Sequence, residues 1–408
     1  MTSTALFLPC AAGVEELLAD ECRRLLGDVR LDLARGGVTV HGDERTAMRL
    51  NLGSRLAQRV LWPLAHGAYR DEHDLYDLGR QVRWGDWITP RQTLRVDSTA
   101  QRSPLRSLNF ANLRIKDAVC DVLREATGER PSVDTRHPDL PLALHLSPTH
   151  ATLYVDTSGE ALFKRGWREA KGEAPLKETL AAAMLAAAGW QGRAEDGPLF
   201  DPCCGAGTIA IEAAQIACGI APGSQRRFAF ERLLPFRAHL GAWREMQREA
   251  QAAVHAPAVM VHAGDVSFRM TDFAARNAER AGVRHAIDFK TADALQRPAP
   301  APAGVLMLNP PYGERIEAKG SGQGGRAEGA GAGRGGQAFE GGGTPADFFA
   351  QLASQWKRHY PGWTAWVLSP DMKLPSLMRL KESRRMPMWN GPIECRLFRF
   401  DLVAGSAR

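Results

Sequence analysis

The chain has 408 residues, of which 44% are hydrophobic and 24% charged, and it carries a net charge of +6. That length suits two or three domains with substantial cores, and no apolar run approaches the roughly 18 residues a membrane-spanning helix needs. Met1 to Cys10 lacks the basic start and long apolar stretch of a signal peptide. Seven cysteines without a CxxC pair argue against a metal ribbon or a disulfide framework and fit a reducing cytoplasm.

Gly13 to Gly27 has amphipathic helical spacing and closes on glycine. Gly37 to Gly42 alternates like a strand between glycines. Leu94 to Asp97 and Ala151 to Asp156 alternate likewise, with a helix expected between them over Asn109 to Thr127. Residues 1–160 therefore read as one compact α+β accessory module. Within it, residues 80–116 hold Arg80, Arg83, Arg91, Arg95, Arg102, Arg106, Arg114 and Lys116 against Asp86 and Asp97, an excess equal to that of the whole chain. Trp84, Trp87 and Phe110 are interleaved. Guanidinium forks match phosphates and rings stack on bases, so this stretch is a candidate nucleic-acid surface; a merely solvated face is the plainer alternative.

Residues 157–198 form a bridge. A helix is expected to open near Pro175, run through the Ala-rich stretch to Ala188 and stop at Gly189. From Pro198 the pattern becomes strand, Gly-rich turn and helix. Leu199-Phe200 leads into Asp201-Pro202-Cys203-Cys204-Gly205-Ala206-Gly207-Thr208, followed by a helix over Ile209 to Cys218. Val259 to His262 reads as a second strand reaching Asp265, Ala286 to Lys290 as a third with Asp293 beyond it, and Gly304 to Leu308 as a fourth. Such alternation predicts a parallel, doubly wound sheet. Glycine dominates residues 317–343, which cannot bury a core and are expected to be a disordered surface insertion. A helix over Pro345 to His359 and a strand over Trp363 to Leu368 follow. Asn390-Gly391 between Met386-Pro387-Met388-Trp389 and the run from Ile393 to Leu402 signals a hairpin, hence an antiparallel last strand.

Two loops carry chemistry. Gly205-Ala206-Gly207 sits between strand and helix, where glycines let main chain approach a ligand and helix N–H groups point at it; with Ala210 it also fits the dinucleotide pattern GxGxxA. Asp201, Asp265 and Asp293 fall at or just beyond the ends of consecutive strands and outline an adenosine pocket: Asp265 for the ribose hydroxyls, Asp293 for the adenine amine. Asn309-Pro310-Pro311-Tyr312 follows the fourth strand. There the Asn amide and a proline-stiffened carbonyl can hold a flat amine, and the Tyr ring can face a base. The expected catalytic residues are Asn309, Pro310, Pro311 and Tyr312. Expected cofactor contacts are Asp201, Pro202, Cys203, Gly205, Gly207, Thr208, Asp265, Asp293, Ala294 and Asn309. Cys203 and Cys204 read as packing residues rather than nucleophiles, and the eleven histidines show no metal spacing.

Asp201 to Thr208 together with Asn309 to Tyr312 resembles the class I S-adenosylmethionine-dependent methyltransferases that modify amino groups. Ala174-Pro-Leu-Lys-Glu-Thr-Leu-Ala, Ile220-Ala-Pro-Gly, Asn309-Pro-Pro-Tyr-Gly-Glu-Arg and Asn390-Gly-Pro-Ile-Glu-Cys resemble, more narrowly, the RlmL family of 23S rRNA guanine-N2 methyltransferases. The resemblance implies a Rossmann-like methyltransferase over residues 161–408. It also implies a ferredoxin-like segment over 1–50 and a THUMP RNA-binding domain over 51–160, with S-adenosylmethionine as cofactor. The partner implied is 23S rRNA or a large-subunit precursor in the cytoplasm, without a membrane, a metal or an obligate protein partner. The glycine insertion departs from the family pattern. Some relatives carry a second, fused methyltransferase domain; this chain ends near residue 408, so a single modification is expected. Three other functions compete: an adenine-N6 nucleic-acid methyltransferase, a nicotinamide oxidoreductase on the strength of GxGxxA, and a non-enzymatic RNA-binding assembly factor.

Overall fold

The computed structural model describes residues 3–169, 176–310 and 345–403. Pro311, Tyr312 and the 317–343 insertion lie outside the described residues. The chain divides into two compact units: Met1–Cys10, Val14–Arg165 and Ala221–Ala252 form one, and Ala11–Gly13, Gly166–Ile220 and Ala253–Arg408 the other.

The first unit is built on one eight-stranded sheet. Its elements in chain order begin with β1 (Thr4–Pro9), α1 (Glu15–Leu26), β2 (Leu31–Ala34), β3 (Gly37–Gly42), α2 (Glu44–Gly53), β4 (Leu61–Ala68) and α3 (Glu72–Arg80). They continue with β5 (Thr93–Ala100), α4 (Leu108–Thr127), β6 (Ser132–Val133), β7 (Leu140–Leu146) and β8 (His150–Asp156). The strand order is β2-β3-β1-β4-β8-β7-β5-β6. Local chemistry sets the helix starts: the Asp43 carboxylate accepts Thr46 N–H at 2.9 Å, and Asp71 accepts His73 and Asp74 N–H groups. Gly128, with φ +79, ends α4. The sequence had hidden β4 and β7. Pro63, Gly67 and a register shift between Pro63 and Ala65 interrupt β4, and Pro141 sits near the start of β7.

The second unit follows with α5 (Glu178–Ala188), β9 (Leu199–Asp201) and α6 (Thr208–Ala217). The intervening Ala221–Ala252, which ends in α7 (Leu240–Ala252), groups with the first unit. The second unit resumes with β10 (Val261–Asp265), α8 (Phe268–Arg280), β11 (Ile287–Thr291), β12 (Val305–Leu308), α9 (Pro345–His359) and β13 (Thr364–Ser369). It closes with α10 (Leu374–Met378), β14 (Arg384–Asn390) and β15 (Ile393–Asp401). Its sheet runs β11-β10-β9-β12-β13-β15-β14. The first five strands are parallel and β15 pairs antiparallel with β13 and β14, as the hairpin signal predicts. The turn itself is Gly391-Pro392, with Gly391 at φ +63. Leu306, Leu308, Ala365, Val367, Phe398 and Phe400 form a core with Trp356, Tyr360 and Trp363. The central strands β9, β12 and β13 are buried nearly throughout, as strands of a covered parallel sheet are, whereas β11 at the edge is partly exposed.

Within the first unit, residues 221–252 are fastened largely by main-chain acceptors. Gly223 N–H donates to the Leu52 carbonyl, Leu234 N–H to that of Trp87, and Phe230 N–H to that of Thr157. Arg226 does most: its guanidinium donates to the carbonyls of Ser158, Glu160, Ala161 and Lys164 and lies 5.0 Å over the Phe228 ring. Burial, and then the neighbouring Arg165, pull its pKa down to about 10. Removing it strands four carbonyls that now share one cation. Arg226→Met is expected to cost about 2–4 kcal/mol in urea denaturation, and a loss well under 1 kcal/mol would show that the segment is held elsewhere.

Candidate active site

Strand register places the four predicted loops together. Asp201 ends β9 opposite Ala263 of β10, Asp265 ends β10 opposite Thr291 of β11, and Leu306 of β12 lies beside Phe200 of β9. Asp293 follows β11 by two residues and Asn309 follows β12 directly. All four acidic or amide side chains thus leave the same, carboxyl edge of the sheet. The strand order reverses between β9 and β12, and open α/β sheets bind ligands in the crevice at such a switch point.

The glycine loop is tied to the next strand by main chain. Cys204 N–H donates to the Gly264 carbonyl at 2.7 Å, and Gly205 N–H donates to Asp265 Oδ2 at 3.0 Å. Asp265 Oδ1 also accepts Ser267 N–H at 2.9 Å. Gly205 has φ +52 and a Cβ there would project into open space, so ligand atoms can come close to the backbone. Gly207 has φ +87 and a Cβ would fall 2.9 Å from that of Ala274, so only glycine lets α6 start so near α8. Asn277, fully buried on α8, donates to the Ala206 carbonyl at 3.1 Å.

Asp201 is 1% exposed and accepts only Cys203 N–H, at 3.2 Å, among the described residues. Burial, with Asp265 adding repulsion against that one hydrogen bond, lifts its pKa to about 8. Burial raises Asp265 as well. Cys203 and Cys204 are held well above ordinary thiols, first by burial and then by the neighbouring carboxyls, so neither is a poised nucleophile. Asp293 accepts Leu295 N–H at 2.9 Å, Pro202 is buried, and Ala294 packs into the core.

Arg168 carried no sequence signal. Its Nε pairs with buried Glu178 at 2.6 Å and its Nη2 donates to the Thr208 hydroxyl at 2.7 Å. Thr208 is therefore engaged by a side chain as α6 begins. Among the described residues, two buried polar atoms here lack partners: Arg168 Nη1, a donor, and Asn309 Oδ1, an acceptor. A buried polar atom without a partner is costly, and ligand atoms are the simplest way to satisfy it. The donor suits a carboxylate and the acceptor an amine. The carboxyls of Asp201 and Asp265 suit a ligand that brings positive charge and hydroxyls. Among the described residues no cluster of His, Cys, Asp and Glu could hold a metal ion.

The RlmL ferredoxin-like domain matches residues 5–61, the THUMP domain residues 69–156, and the RMKL-like methyltransferase domain residues 165–324. The chain thus carries a THUMP domain and an RMKL-like methyltransferase domain behind an RlmL ferredoxin-like one. A protein of Shewanella pealeana named ribosomal RNA large subunit methyltransferase K/L is 34% identical over 98% of this chain. Its namesake in Syntrophotalea carbinolica is 36% identical over 97%. The chain spans about half the length of these curated relatives, 53% of each. SMU.472, solved in complex with SAH, superposes with a TM-score of 0.82 over the full length of both chains at 24% identity, a likeness of fold. A predicted N6-adenine-specific DNA methylase from Listeria monocytogenes superposes at 0.80 with 26% identity, over 98% of this chain and 97% of that one.

In the first unit the eight predicted nucleic-acid contacts separate. Arg80 pairs with Glu125, Arg83 with Asp86, Arg95 with Asp97, and Arg114 and Lys116 with Asp117. Arg91, Arg102 and Arg106 are exposed and have no ion pair among the described residues. Trp84 and Trp87 are not stacking platforms. Both are buried, and Trp84 Nε1 donates to the Gly79 carbonyl; Phe110, 57% exposed, is the aromatic that remains available.

Asp201 has an explicit pH consequence. Its carboxyl titrates near 8 when folded and near 4 when unfolded. The folded state therefore holds the proton more tightly. The resulting stability is present in full below pH 4 and is lost as pH rises towards 8. Asp201→Asn, which keeps the acceptor for Cys203, should raise the melting temperature of the ligand-free protein at pH 8 and leave it nearly unchanged at pH 4. An equal shift at both pH values would refute the assignment.

Proposed function

We propose that this chain transfers the methyl group of S-adenosylmethionine to the exocyclic N2 amine of a guanine in 23S rRNA, in the cytoplasm, on free rRNA or a large-subunit precursor. The observation that carries this is the unpartnered Asn309 Oδ1 just past β12, at the sheet edge that also presents Asp201, Asp265 and Asp293. Support for RNA as the polymer comes from the names of the curated relatives and from the THUMP match. We further assign residues 1–50 to the ferredoxin-like segment, 51–160 to the THUMP domain and 161–408 to the methyltransferase.

When bound, S-adenosylmethionine supplies a sulfonium methyl whose C–S bond pair stays with sulfur as the new C–N bond forms. Asp265 would hold the ribose hydroxyls, Asp293 the adenine amine and Arg168 Nη1 the carboxylate, while ionised Asp201 would answer the positive charge. Asn309 Oδ1 and the Pro310 carbonyl would accept the two hydrogens of the guanine amine. That pair of bonds draws the nitrogen out of conjugation with its ring and directs its lone pair at the methyl carbon. Positioning of this kind can be worth several kcal/mol, up to roughly 7–11 in the best cases. Water takes the surplus proton after transfer. The target leaves its stack to enter the site, and Tyr312 is assigned the base face on sequence grounds alone.

A clamp for a flat amine would also accept adenine N6, and the Listeria neighbour carries that name. Nucleoside analysis of methylated RNA and DNA separates the two: N2-methylguanine in rRNA supports the proposal, and N6-methyladenine in DNA overturns it. Asn309→Ala should lower the rate of transfer by at least about 100-fold with RNA binding nearly unchanged; activity above a tenth of the parent would remove Asn309 from the chemistry. Arg102→Ala with Arg106→Ala should weaken RNA binding and lower its salt dependence by about one unit or more, and an unchanged slope would take both from the interface.

A further inference from the structure

We propose that the methyltransferase unit has its own phosphate-binding surface, formed where α9, α10 and the start of β14 converge, and that it holds RNA backbone away from the target nucleotide. This rests on the RNA substrate argued above. Lys357, Arg358, Arg379, Lys381, Arg384 and Arg385 are all exposed, and none makes an ion pair among the described residues. The Lys357 ammonium donates to the Arg379 carbonyl at 2.9 Å, which brings the end of α9 against the end of α10. Arg379 sits in the left-handed region at φ 49, and β14 begins five residues later. Arg385 stands opposite Phe398, on the sheet face that α9 and α10 cover, and Arg384 opposite Arg399 on the other face. The charges therefore wrap one edge of the sheet.

Two ordinary explanations cover part of this set. Cations at a helix C-terminus complement its dipole, which accounts for Lys357 and Arg358. Charged residues also guard an edge strand against pairing, which accounts for Arg384 or Arg385. Neither calls for Arg379 and Lys381 between them, nor for six cations sharing Glu382 as the one acidic residue between Arg379 and Arg385. Exposed like charges repel, and a polyanion turns that cost into affinity by releasing its own counterions. The position says which part of the RNA is held. β14 runs parallel with the central strands, so Arg384 lies at its amino end, whereas Asn309 follows the carboxyl end of β12. A strand of this length covers roughly 20 Å, so this surface and the amine clamp engage different nucleotides.

The test uses the full chain with Lys381, Arg384 and Arg385 each changed to Ser, three exposed sites outside the catalytic and cofactor set. Binding of a fluorescent 23S rRNA fragment is followed by anisotropy between about 50 and 200 mM salt. The slope of log affinity against log salt should fall by about two units for three lost phosphate contacts, while calorimetric binding of S-adenosylmethionine stays at the parental value. An unchanged slope in a variant that still binds the methyl donor overturns the surface and leaves the amine clamp standing. A parent protein without salt-dependent RNA binding overturns both. Acylation of Lys357 and Lys381 in the parent gives a second reading that needs no variant. Slower modification in the presence of RNA supports the surface; equal labelling overturns it, as does protection by ribosomal proteins but not by RNA, which would mark an acidic protein partner instead.

Discussion

Two hydrogen bonds from consecutive amides hold the candidate site in shape: Cys204 N–H to the Gly264 carbonyl and Gly205 N–H to the Asp265 carboxylate. Together they lock the glycine loop after β9 to the end of β10. The first fixes height, because it is main chain to main chain. The second fixes the carboxylate, because one oxygen takes the loop and the other takes Ser267 N–H. Asp265 is thereby oriented before any ligand arrives, with lone pairs left over for hydroxyls. The same constraint explains a glycine that shows no special backbone angle. A Cβ at Gly264 would meet Arg297 Nη1 at 2.9 Å. Arg297 is buried, lies 4.4 Å over the Phe200 ring and donates to the Ala263 carbonyl. Its own carbonyl accepts the Tyr360 hydroxyl. The nucleotide loop thus rests on a strand end that is braced by an arginine running beneath it.

The electrostatics follow from that geometry. Asp201, Asp265 and Asp293 converge near Cys203, and the described residues place no lysine or arginine in ion-pair contact with any of them. The nearby buried arginines are already committed: Arg168 to Glu178, and Arg297 to Asp288 and main chain. A buried carboxyl cluster left without a cation holds negative charge poorly: burial first, and then Asp265, raise the pKa of Asp201. Such sites persist where a ligand removes the cost. A ligand that brings positive charge to a pocket of carboxyls, and a carboxylate to the spare donor of Arg168, would relieve every unfavourable feature at once.

How much of this the sequence disclosed depended on how local each signal was. The parallel strands, the glycine turn and the residues just past each strand were legible because strand, turn and helix signals occupy a dozen consecutive residues. The same holds for α4, α9 and the last hairpin. What stayed hidden was set by distant partners. Arg168 looks like any surface arginine until Thr208 and Glu178 are placed beside it. Residues 221–252 follow α6 in sequence, yet they have main-chain partners at Leu52, Trp87 and Thr157. Trp84 and Trp87 alternate with arginines in a way that suggests base stacking, and only burial shows that they are core.

The basic stretch shows why charge counted along a chain misleads about binding. Arg80 is answered by Glu125 and Lys116 by Asp117, both just beyond the window that made the stretch look so positive. Paired cations on a surface gain little from one another, but to meet a phosphate they must first give up that partner, which reduces what the contact is worth. Arg91, Arg102 and Arg106 give up nothing. By the same criterion Arg379, Lys381, Arg384 and Arg385 stand out although they never formed a long run in the sequence, because α9 and β14 bring Lys357 and Arg358 to them through folding. Affinity for a polyanion should therefore follow the cations that remain unanswered in three dimensions, and these fall on both units rather than on the accessory module alone.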